Sequence, residues 1–102
     1  MHSREMHAYR IVWEDEPKAR EIEILVHYRL NTGLVQIDAI NPTKVTLFAE
    51  HTPRPTRILP VHTTAGRRLL AQAYLAARET EQTLEDEILA AHDLRDEAVA
   101  VA

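Results

Sequence analysis

Between residues 51 and 78 the chain carries five arginines and no acid, and its chemistry-bearing side chains gather there. Eight acids against six Lys/Arg precede this segment, and eight acids against one Arg follow it. Arg67 and Arg68 fall in the first turn of a helix predicted to start near Thr64. The helix dipole puts partial positive charge at that end, so each cation there costs about 0.3–1 kcal/mol. An anion would offset the cost. Unpaired backbone N–H groups at the helix start, the hydroxyls of Thr63 and Thr64, and the His62 imidazole are the parts of a phosphate or carboxylate site. Gly66 would let a ligand approach the backbone. Arg54 and Arg57, on the loop before it, join the set if that loop folds back. The competing reading pairs these arginines with Glu81, Glu85, Asp86 and Glu87, which requires a helical hairpin. A single rod would hold Arg68 and Glu81 about 20 Å apart at 1.5 Å per residue. Self-pairing is the favoured reading of the two, since structural ion pairs often resemble sites.

Six histidines are many for 102 residues. A zinc site needs three or four converging ligands, usually with a close helical pair, and no two histidines here have that spacing. His51 and His62 flank the proline-containing loop and could approach each other, which is the best that a metal reading offers. His27 lies opposite Asp38 on the expected strand register, as a carboxylate-oriented general base would. No nucleophile accompanies that pair, and cross-strand charge pairing explains it. Acid runs such as Glu14-Asp15-Glu16 and Glu85-Asp86-Glu87 are adjacent in sequence and splay apart. Phosphate loops, dinucleotide fingerprints, nucleophile elbows and helical metalloprotease motifs are missing from the sequence. Hence no catalytic residue and no cofactor are assigned.

The elements that must position these groups follow from hydrophobic periodicity. Ala8 to Glu14 alternates, with Tyr9, Ile11 and Trp13 on one face, and so does Glu21 to Leu30, with Ile22, Ile24, Val26, Tyr28 and Leu30 together. Asp15-Glu16-Pro17-Lys18 supplies the turn between them. Taking Thr32-Gly33 as a two-residue hairpin loop pairs Leu30 with Val35, Tyr28 with Ile37 and Val26 with Ala39. It also sets Arg29 against Gln36. Leu34 to Ile40 is then the third strand, Asn41-Pro42-Thr43 a turn, and Lys44 to Ala49 a fourth strand. Arg57 to Val61 reads as a short edge strand, kept there by Pro60. Beyond Gly66 there is neither Pro nor Gly, and helix formers dominate. Thr63 or Thr64 caps the helix start, and Thr83 with Asp86 resembles a capping box. Two helices, Ala65–Arg78 and Leu84–His92, are favoured over one rod. The expected core sets the sheet's inner stripe against Leu69, Leu70, Ala73, Tyr74 and Ala77.

This predicts a single α+β domain: an antiparallel meander of four or five strands over residues ~8–61, with one or two helices over ~64–95 on one face. Residues 1–7 and 97–102 are expected to be mobile tails. A net charge of −4 argues against a dedicated nucleic-acid binder. No cysteine is present, which excludes disulfides and thiolate sites and fits a reducing compartment. The polar N-terminus and the lack of a long apolar run point to the cytoplasm and away from a membrane. Heavy Ala and Arg usage suggests a bacterial source. The stripe Leu84–Ile88–Ala91 would lack an intrachain partner on a rod, so homodimerisation is expected to bury it. The resulting functional expectation is a non-enzymatic binding module, homodimeric and acting through a protein partner. An anion-binding domain for a nucleotide or nucleic-acid backbone, using the Thr63–Arg68 helix start, is the alternative. A small metal-dependent enzyme using His51 and His62 is the lesser one.

Overall fold

The computed structural model describes residues 5–49 and 54–101, with side chains described as far as residue 95. Four antiparallel strands, β1 (His7–Asp15), β2 (Arg20–Asn31), β3 (Leu34–Phe48) and β4 (Pro55–Pro60), form one sheet in sequence order. Two helices, α1 (Thr64–Ala77) and α2 (Leu84–Val101), cover one face, so the fold is α+β.

Local chemistry explains each turn. Pro17 lies in a single 3₁₀ turn at Glu16–Lys18, and Ala19 ends it in the left-handed region at φ 46°, its N–H donating to the Glu16 carbonyl. Arg20 then donates to the buried Asp15 carboxylate at 2.7 Å and locks the start of the hairpin. Thr32 and Gly33 both have positive φ, 52° and 79°, so the second hairpin closes on a two-residue turn of the primed kind that matches strand twist. The pairs Leu30–Val35, Arg29–Gln36 and Tyr28–Ile37 form as the turn predicts.

Beyond Ile37 the expected register fails. Two bulges interrupt the β2–β3 ladder, so Val26 pairs with Ile40, not Ala39, and His27 pairs with Ala39, not Asp38. Each bulge inserts one residue, Asp38 and then Thr43, and each insertion flips the inward-facing phase of β3. The inward-facing apolar positions therefore run Val35, Ile37, then Ile40, Pro42, then Val45, Leu47. Asn41-Pro42-Thr43 is consequently no turn. Pro42 sits fully buried inside one fifteen-residue strand, and the expected third and fourth strands are its two halves.

The helix break falls where the threonines allow it. Arg78 turns extended (ψ 124°), Thr80 Oγ1 accepts from Gln82 N, and Thr83 Oγ1 accepts from Asp86 N at 3.1 Å to cap α2. The C-terminal part is therefore two helices and not one rod. Leu84 and Ile88 are buried in the core with Ile22, Ile24, Val26, Tyr28, Val45 and Tyr74. The stripe expected to need a second subunit is thus covered within the chain, and it gives no ground for a dimer. Leu69, expected in the core, is 66 % exposed, and Ala77 is exposed too, whereas Leu70 and Tyr74, four apart on α1, point inward as expected. Helix α2 runs past Glu97 to Val101, beyond the ~95 boundary, because Ala and Val continue the helix without a breaker.

Candidate functional site

The predicted anion site does not assemble around the helix start. Thr63 Oγ1 accepts from Gly66 N at 2.9 Å, and the Thr63 carbonyl accepts from Arg67 N, so Thr63 serves as the N-cap. A Cβ on Gly66 would lie 2.8 Å from Thr63 Oγ1, so this glycine makes room for the cap, not for a ligand. Thr64, His62, Arg67 and Arg68 are exposed, as are Arg54, just before β4, and Arg57 on it. Arg67 nevertheless borders a concave place. With Val61 it lines a pocket of about 290 Å³ whose other walls are Leu25 and His27 of β2 and Asn41 and Thr43 of β3. The second bulge shapes this wall, and Thr43 Oγ1 there donates to the Glu23 carbonyl at 3.2 Å. No carboxylate pairs with Arg67 among the described residues.

Other candidates are redistributed. Asp38, on the first bulge, accepts two bonds from Arg29 (2.7 and 3.0 Å), so the expected His27–Asp38 pair does not form. His51 lies outside the described residues, and no three His, Asp or Glu groups converge into a metal-binding set among those described. Self-pairing between the basic and acidic segments does occur, through Arg78 and Glu87 at 3.2 Å and not through Arg67 or Arg68.

That ion pair belongs to a network which the sequence reading missed. Arg78 donates to the Tyr74 hydroxyl (2.8 Å), to Glu87 Oε1 and to the Gln82 carbonyl (3.1 Å). Tyr9 on β1 donates to Glu87 Oε2 at 3.1 Å. One carboxylate thus ties the end of α1, the start of α2 and the first strand together. Burial, and then the neighbouring Glu87 charge, raise the Tyr9 pKa above the ordinary tyrosine value; the Arg78 charge only partly opposes this. A group held more strongly protonated in the fold stabilises it fully below the unfolded pKa of about 10, and that contribution is lost as pH rises through the folded value. The expected result is that Tyr9→Phe lowers the melting temperature at neutral pH while flattening its decline above about pH 10. Melting curves across that range check it; parallel declines in both proteins would refute the assignment.

A second unforeseen cluster lies further along the sheet. Tyr28 OH lies 2.8 Å from His92 Nδ1, and the His7 ring stacks on Tyr28 at 5.3 Å between centroids. Period-two patterning puts Tyr9 and Tyr28 on the inner face, but nothing in it brings Glu87 or His92 above them. Comparison with protein-family models, with curated proteins and with solved structures finds no match to this chain. The class defined so far is therefore that of the fold: a helix-covered antiparallel meander. No helix among the described residues is long and apolar enough to cross a membrane.

Proposed function

We propose that the chain is a non-enzymatic interaction module, working as a homodimer in a reducing, cytoplasmic setting and acting through a protein partner. The observation that carries this reading is the apolar surface left open on both layers. Val12 and Ile58, on the sheet face away from the helices, are 41 % and 58 % exposed, and Leu75 and Leu94 on the helices are 44 % and 66 % exposed. Apolar side chains presented on opposite surfaces suit two separate contacts, one between copies and one to a partner. Sedimentation equilibrium tests the first contact directly. The expected result is a concentration-dependent dimer; a monomer at the highest attainable concentration would sink the homodimer reading.

A second reading is favoured by the Arg67 pocket. An arginine without a carboxylate partner, beside an imidazole and an asparagine, suits a small phosphate or carboxylate. Inorganic phosphate should then raise the melting temperature in proportion to ln(1 + [L]/Kd), and Arg67→Ala should abolish the rise. An equal shift in Arg67→Ala, or none in the wild type, would remove this reading. Salt-dependent binding to DNA or RNA extends the same test to a nucleic-acid backbone.

A further inference from the structure

The four-stranded sheet ends on two strands of unequal character. β4 is short, has Pro55 and Pro60 at its ends and breaks register near Phe48, all devices that blunt an edge. The stretch of β3 beyond β4 is guarded by Pro42 and the two bulges. β1 has none of these protections. It runs nine residues without Pro, Gly or lysine, pairs with β2 without a register shift, and has no strand on its other side among the described residues. Such an edge presents a row of backbone donors and acceptors ready for another strand.

The side chains of β1 are self-complementary in one register. An antiparallel pairing of two copies keeps inner faces together only if even positions meet even ones and odd meet odd. Centring on Arg10 sets arginine against arginine, centring on Ile11 sets Arg10 against Val12, and centring on Trp13 sets Val12 against Glu14. Centring on Val12 sets Val12 against its own copy and flanks it with Arg10 against Glu14 on both sides. On the inner face the same register sets Ile11 against Trp13, both only half-buried in the single chain. Charge and apolar matching therefore coincide in that register alone.

The isolated chain also leaves Glu14, one of the charges it would use, without a cation. Glu14 lies directly opposite Glu21 across the β1–β2 ladder, and neither acid has a cationic partner among the described residues. Like charges placed so repel, and a cation beside Glu14 would relieve them. Arg10 is 62 % exposed and bonds Glu23 through one terminal nitrogen at 2.9 Å, with the remaining donors of its fork available for a second carboxylate. From these observations we infer that the second copy docks edge to edge through β1, with Val12 on the two-fold axis. The two sheets become one continuous sheet with all helices on one face. This inference rests on the homodimer reading and gives that dimer its interface.

The lack of any cysteine makes a disulfide test clean. Directly opposed strand residues have Cα atoms about 4.5–5.5 Å apart, within the range that a disulfide spans. Val12→Cys should therefore form a covalent dimer under mild oxidation, whereas Ile58→Cys, exposed on the same face of β4, should not. Arg10→Glu should weaken self-association by about tenfold or more, and the Arg10→Glu/Glu14→Arg exchange should restore it. Circular dichroism of each variant confirms that the fold is kept. A wild-type dimer in which Ile58→Cys cross-links as readily as Val12→Cys, or in which Arg10→Glu associates unchanged, overturns the edge interface while leaving the homodimer standing. A wild-type monomer overturns both.

Discussion

Replacing Ile88 by alanine is expected to destabilise the fold by about 3–5 kcal/mol, a large share of the ~5–15 kcal/mol that holds a domain of this size together. Ile88 is fully buried beneath α2 and belongs to the same core as Ile22, Ile24 and Val26 of the central strand. Truncation removes apolar area from the core and leaves a cavity, because a sheet held by its ladders cannot collapse into the gap. Chemical denaturation with far-UV detection measures the loss. A change below about 1 kcal/mol would mean that α2 does not dock on the sheet as described, and that its apolar stripe faces solvent or another subunit. The variant therefore decides between an intrachain and an intersubunit role for this stripe.

The second large effect is expected at Arg78. Its side chain is only 12 % exposed and makes bonds to Tyr74, Glu87 and Gln82. Removing it leaves the buried Tyr74 hydroxyl without that donor and strips Glu87 of its cation. Glu87 is about one-third exposed, so water takes over part of the loss and the full cost of an orphaned buried charge does not apply. About 2–3 kcal/mol is expected for Arg78→Ala, with Arg78→Lys recovering only a minority of it, since an ammonium cannot span three acceptors as the guanidinium fork does. Denaturant midpoints of the two variants check the ordering. Equal stability of Arg78→Lys and wild type would show that charge alone matters there. Arg78 also lies on the wall of a shallow pocket of about 420 Å³ beside the helix–helix loop, so losing its side chain should loosen that loop first.

Much of the fold was legible because strands and helices impress their own periods on a sequence. The alternation of Tyr9, Ile11, Trp13 and of Ile22 to Leu30 follows from side chains pointing to opposite faces of a pleat. Thr32-Gly33 sets the hairpin because a two-residue turn with positive φ leaves one register open. Thr83 with Asp86 marks the second helix because the hydroxyl satisfies a free N–H of the first turn. These are local effects, complete within a few residues.

The misread parts are those in which distant residues decide the outcome. Asn41-Pro42-Thr43 has the composition of a turn, yet β2 on one side and the core beneath hold it in a strand. The cost is two bulges, and the bulges separate His27 from Asp38. Arginines at 67 and 68 were equal candidates by sequence, and only the approach of α1 to the bulged strand turns Arg67 towards His27 and Asn41. The acidic segment pairs back on the basic one at Arg78, the last arginine before the break, because the turn between the two helices brings Glu87 back to that point. What the sequence by itself determined was the set of elements, their order and the faces that avoid water. The tertiary structure decided which polar side chains meet, since hydrogen bonds and ion pairs act over about 3 Å. Burial patterns place a residue on a face, far more coarsely than that distance requires.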